Sequence, residues 1–78
     1  MSNAELRNAN RLWAAVQRIQ ISRGGNPPMT VGEVAREAMM SAATARKYLN
    51  AACETGAMER HVHNATFSTY VRIYSEDN

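Results

Sequence analysis

Thr30-Val-Gly-Glu-Val-Ala-Arg-Glu-Ala-Met-Met-Ser-Ala-Ala-Thr-Ala-Arg-Lys-Tyr-Leu-Asn-Ala-Ala-Cys-Glu-Thr-Gly56 holds the signals of two helices joined by a tight turn. Thr30 followed three positions later by Glu33 is a capping box, in which the hydroxyl accepts from the third amide and the carboxylate reaches back. A short helix therefore starts at Val31, with Val34, Ala35 and Ala38 joining Val31 on its buried side. Met39-Met40-Ser41 breaks the pattern, and Ser41 is a natural N-cap for a further helix from Ala42 to about Thr55. Gly56 sits where a helix ends in left-handed geometry. Along this second helix Ala45, Tyr48, Leu49 and Ala52 form an apolar stripe, and Ala43, Arg46, Lys47 and Asn50 are expected on the opposite side.

Upstream, Leu6, Ala9, Leu12, Trp13, Val16 and Ile19 recur every three or four residues, which predicts an amphipathic helix over about residues 5–21. Ser2 and Glu5 form a capping pair at its start, and Ser22-Arg23-Gly24-Gly25-Asn26-Pro27-Pro28 ends it. The opening Met1-Ser2-Asn3-Ala4 resembles a leader left by an expression vector. Downstream of Gly56 the period falls to two. Met58, Arg60 and Val62 alternate with Glu59, His61 and His63, and Phe67, Thr69, Val71 and Ile73 alternate with Ser68, Tyr70, Arg72 and Tyr74. A hairpin over about residues 57–74, turning near His63 to Thr66, is expected, followed by a polar tail over 75–78. Trp13, Tyr48 and Phe67 are expected in the core; Tyr70 and Tyr74 are not assigned to either side.

The chain has 78 residues, 45% hydrophobic and 21% charged, with a formal net charge of +2. At this length one thin core is affordable, so residues 1–78 are expected to form a single domain. No apolar run approaches the roughly 18 residues of a membrane span, and no basic-then-apolar leader opens the chain. The single Cys53 has no partner for an internal disulfide, which suits a reducing compartment; cytoplasmic localisation is expected, with no membrane partner. Asn64-Ala65-Thr66 is then a chance glycosylation triplet. The basic residues are eight Arg and one Lys, and the planar guanidinium fork suits phosphate better than a point charge does.

The segment from Thr30 to Gly56, continued by Ala57-Met58-Glu59-Arg60 into the hairpin, resembles the bacterial and phage winged helix-turn-helix family. In that family an Ala in the first short helix packs on the second, a Ser caps the recognition helix, a Thr follows, and a Leu anchors it. Here these are Ala35, Ser41, Thr44 and Leu49. Two positions depart: Met39 stands where the family usually has Gly, and Ala52 where a second core Leu is usual. The tip His63-Asn64-Ala65-Thr66 lacks the basic residues that many DNA-clasping hairpins of the family carry. The resemblance implies a mainly α fold with a small β-hairpin, a three-helix winged helix-turn-helix domain. Its implied function is a double-stranded DNA-binding transcription regulator, a repressor of the phage or plasmid type, reading the major groove with helix 42–55.

On that expectation Ala42 and Ala43 approach the groove floor, Arg46 reaches guanine bidentately, Asn50 pairs with adenine and Lys47 holds phosphate. Thr30, Ser41 and Thr44 flank the groove as phosphate donors, although for Thr30 and Ser41 capping is the favoured reading and the two roles are compatible. Arg60 and Arg72 on the hairpin are candidates for the backbone. One such helix reads about half an operator, so a homodimer is expected, formed through Leu6, Leu12 and Trp13 on the first helix. A winged-helix adaptor for a protein partner is the alternative, because fold does not dictate function. No catalytic residue, cofactor or metal is expected. The chain lacks a Gly-rich phosphate loop and a recognisable carboxylate pair, and His61, His63 and Cys53 lack the spacing of a metal site.

Overall fold

The computed structural model describes residues 2–74. Its elements run in the order α1 (Asn3–Arg23), β1 (Met29–Thr30), α2 (Val31–Ala38), α3 (Ala42–Glu54), β2 (Met58–Asn64) and β3 (Phe67–Arg72). It is a small, mainly helical domain with three helices and a three-stranded antiparallel sheet. The expected tail at 75–78 lies outside the described residues.

Each helix begins where a hydroxyl meets an orphan amide. Ser2 Oγ accepts from the Glu5 amide at 3.1 Å while Glu5 Oε1 accepts from the Ser2 amide at 3.1 Å, a complete capping box. Helix α1 therefore starts at Asn3, and it runs on to Arg23, longer than the expected 5–21. Thr30 Oγ1 accepts from the Glu33 amide at 3.1 Å, but the reciprocal bond is not made: the Glu33 carboxylate accepts from Arg23 at 3.0 Å. The second capping box is thus half a box, because an arginine on α1 competes for the acid. Ser41 Oγ accepts from the Thr44 amide at 3.1 Å and starts α3 at Ala42 as expected.

Met39 takes the left-handed conformation (φ 58°, ψ 49°) between α2 and α3, with its amide directed at the carbonyls of Ala35 and Arg36. Its side chain is 84% exposed. Gly56, at φ 84°, turns the chain from α3 into β2.

The core joins α1 (Leu12, Val16, Ile19), α2 (Val34, Ala35), α3 (Ala45, Leu49, Ala52) and three sheet residues, Met29, Met58 and Tyr70. Leu12 is only 1% exposed, so it is unable to serve the dimer surface on which it was expected; Leu6, at 51%, remains outside the core. The first turns of α1 extend past the body that α2 and α3 can cover.

Two features of the sheet differ from expectation. Strand β1 was not expected, Thr30 having been read as a helix cap alone; two prolines hold the preceding chain extended, and Met29 and Thr30 pair with Tyr70 and Thr69. The phase of β3 is also reversed: Tyr70 is buried and Phe67 is 43% exposed. β3 is the central strand, and Tyr70 shares its face with its cross-strand partner Met29, which is fully buried against the helices; the neighbouring Thr69, also paired on both sides, lies on the outer face. Tyr70 also has what a buried phenol requires, donating its hydroxyl to Asn50 Oδ1 at 2.8 Å. Asn64 Oδ1 accepts from the Thr66 amide at 2.9 Å and closes the Ala65-Thr66 turn, and the register shifts between Val62 and Asn64.

Candidate functional site

Successive side chains on an α-helix step round the axis by about 100°. With Ala45, Leu49 and Ala52 buried, Ala43 and Lys47 fall on the directly opposite, outward side of α3. Tyr48, Ala51 and Thr55 turn toward α1, where with Trp13, Ala9 and Leu12 they line a mostly apolar groove of about 340 Å³, with Glu5 and Lys47 at its charged margin. Arg46, Asn50 and Cys53 turn the other way, toward the hairpin. The Tyr70 hydroxyl fixes that direction by its bond to Asn50, and partial burial raises the Cys53 thiol pKa above its ordinary value.

Ser41, Ala42, Ala43, Arg46 and Lys47 are exposed, while Thr44 and Asn50 are half-buried. No acid occurs from Ala38 to Ala52, so the first half of α3 presents only small, hydroxyl and basic side chains. The Ser41 hydroxyl is occupied twice, accepting from the Thr44 amide and donating to Thr44 Oγ1 at 2.9 Å. Thr30 caps α2 through its oxygen.

The sequence-expected residues do not form one continuous surface. Thr30, Arg46 and Arg60 come together, lining with Gly32, Thr66, Ser68 and Tyr70 a polar cleft of about 360 Å³ between α2, α3 and the hairpin. Ala42, Ala43, Thr44 and Lys47 continue from it along α3. Arg72 lies elsewhere: its guanidinium packs 5.1 Å from the Trp13 ring and 5.0 Å from the Tyr74 ring, and donates to Gln20 Oε1 at 3.3 Å. Gln20 is itself buried and donates to Asn26 Oδ1 at 3.0 Å and to the Tyr74 hydroxyl at 2.8 Å. Arg72 thus belongs to a polar network that ties the end of the sheet to α1. Sequence reasoning did not single out Ser68 or Thr66 in the cleft; the available signal was alternation, which places Ser68 on the same face as Tyr70.

The two histidines separate from Cys53. His61 and His63 line the outer sheet face with Phe67, Thr69 and Val71. His61 Nε2 is 3.0 Å from Glu59 Oε1, and His63 Nε2 is 2.9 Å from Thr69 Oγ1. Among the described residues no three His, Cys, Asp or Glu side chains gather as metal ligands, and no described helix is long and apolar enough to cross a membrane. No protein-family model, no curated protein and no solved structure matches this chain.

Proposed function

We propose that this chain is a winged helix-turn-helix transcription regulator that binds double-stranded DNA and places α3 in the major groove. The observation that carries the reading is the acid-free, exposed first half of α3, Ser41 to Lys47, standing beside a hairpin that contributes Arg60. An α-helix fits the major groove of B-form DNA, and the small Ala42 and Ala43 permit close approach or contact with a thymine methyl. Lys47 starts from the same outward line as Ala43 but leans toward α1, its ammonium 5.6 Å from the Tyr48 ring centroid, and in this proposal serves the phosphates at the edge of the groove. Asn50 is pinned toward the hairpin by Tyr70 and serves chiefly to hold α3 against the sheet. Ser41 and Thr44 present the helix N-terminus to phosphate.

The active species in this proposal is a cytoplasmic homodimer, since one α3 reads about half of a usable operator. Its contact surface is the groove between α1 and α3, where Ala9, Trp13, Tyr48 and Ala51 offer the apolar area and Leu12 forms only the buried floor; Leu6 is exposed two helical turns before Trp13 on the same face of α1. The test is fluorescence polarisation on duplexes selected from a random pool, repeated over a salt series. DNA binding predicts an affinity that falls steeply and linearly in log–log form as salt rises. No detectable binding to any duplex at low salt overturns the reading.

A protein adaptor is the second reading, and the outer sheet face favours it. Phe67 and Ile73 are 43% and 44% exposed there, beside Val71 and Pro28. An adaptor docks through that face and leaves α3 free, so Phe67→Ser abolishes its partner contact and leaves polarisation on DNA unchanged.

A further inference from the structure

We propose that the cleft between α2, α3 and the hairpin is a seat for a single phosphate group, gripped jointly by Arg46 and Arg60. This deepens the DNA-binding reading and rests on it for the source of the phosphate, the DNA backbone. It reassigns Arg46 from reading a base to holding that backbone.

The first argument is charge. Arg46 and Arg60, from different elements, line the same cleft, and no carboxylate lines it with them. Neither makes an ion pair or side-chain hydrogen bond among the described residues, although arginines elsewhere do: Arg18 meets Glu37 at 2.9 Å and Arg23 meets Glu33 at 3.0 Å. Two guanidinium groups on one concave surface repel each other until an anion lies between them, and each planar fork is able to donate two parallel hydrogen bonds to phosphate oxygens.

The second argument is the remaining donors. The Thr30 oxygen accepts the Glu33 amide, so its hydroxyl hydrogen is directed elsewhere, and Thr30 lines the cleft. Ser68 adds a second hydroxyl from the opposite wall. Two guanidinium forks and two hydroxyls from three sides suit a tetrahedral oxyanion and suit a flat base edge poorly. The third argument is direction: Arg46 lies about 100° round the helix axis from Lys47, on the flank toward the hairpin and away from the outward line that enters a groove.

Arg46 and Arg60 are both exposed, so Arg46→Ala and Arg60→Ala are expected to fold, which thermal melting verifies. In the free protein, inorganic phosphate titrated at constant ionic strength against a chloride control should shift the NMR signals of Arg46, Arg60 and Ser68 saturably. Either alanine variant should abolish that saturation. On DNA each variant should lose about tenfold in affinity, as for a hydrogen-bonded charged group, and lower the salt slope by about one counterion. The ratio of selected to random duplex affinity should be unchanged. Because both arginines hold one phosphate, the double variant should lose clearly less than the product of the single losses.

A selected-to-random ratio that collapses in Arg46→Ala but not in Arg60→Ala overturns the proposal, since Arg46 is then a base reader. Strictly multiplicative losses also overturn it. If the wild-type chain binds DNA while both variants keep its salt slope, the seat fails and the DNA reading stands. Saturable phosphate shifts with no DNA binding leave the seat standing and remove DNA as its source.

Discussion

Met39 is the residue at which this fold is most strained. A left-handed backbone costs a residue with a Cβ roughly 1–2 kcal/mol, and at 84% exposure the Met39 side chain gains little packing in return. Glycine removes that strain but leaves a freer unfolded chain, a loss of about 0.4–1 kcal/mol. Met39→Gly should therefore stabilise the domain by about 0.5–1 kcal/mol, read as a higher urea midpoint at unchanged slope; a lower midpoint means that the side chain holds the turn. Tyr70 and Phe67 make the opposite comparison. Tyr70→Phe leaves the Asn50 carbonyl oxygen without its 2.8 Å donor and should destabilise by about 1 kcal/mol. Phe67→Ser, on the exposed outer face, should change stability by less, and the reverse order in denaturant melts would show that Phe67 is the strand's inward aromatic.

At the scale of the element, what was legible in the sequence was local. The three N-caps, Ser2, Thr30 and Ser41, were readable because a hydroxyl and the amide three residues on belong to one turn of chain. The pairing of β1 and the phase of β3 were not, because alternation gives two faces without saying which is inward. That choice rests on Tyr70 sharing a face with the buried Met29 and bonding to Asn50 on α3, partners up to forty-one positions away. The candidate site divides the same way: residue types on α3 were visible, whereas the turn of Arg46 toward the hairpin and of Arg72 toward α1 required the packed structure. Locality also governs the pH response of α1. Backbone and side-chain bonds with Ser2 hold the Glu5 carboxyl below its ordinary value. A depressed folded value means that the cap's support is present above the usual carboxylate range and is lost as pH falls through the folded value. Amide exchange in the first turn of α1 should quicken on acidification beyond the intrinsic trend, and Glu5→Gln should remove that pH dependence while keeping a capping partner. The docking of α3 is a firmer test: Leu49 is fully buried, and Leu49→Ala should cost about 2–5 kcal/mol.

Across the whole molecule, the arginine-lined cleft and the apolar groove occupy different flanks of α3. Arg18 with Glu37 and Arg23 with Glu33 neutralise each other where α1 meets α2, so a net charge of only +2 still leaves the cleft between α3 and the hairpin lined by Arg46 and Arg60 and by no carboxylate. The apolar groove lies on the other flank of α3, toward α1. A second copy seated there would meet Lys47 at the groove margin but would not cover Arg46 or Arg60, which line the cleft on the other flank, so self-association and the phosphate contact of those two arginines should be separable by substitution. Leu6 is the position for that test, being 51% exposed, outside the core and two helical turns before the groove residue Trp13 on the same face of α1. Leu6→Glu should leave the melting temperature of the dilute protein nearly unchanged, because exposed substitutions usually shift stability by under about 0.5 kcal/mol. It should shift sedimentation toward the monomer and weaken binding to a two-half-site duplex, while binding to an isolated half-site is unaltered. Equal weakening on both duplexes would place Leu6 at the DNA instead, and unaltered sedimentation of a wild-type dimer would move the interface to the outer sheet face.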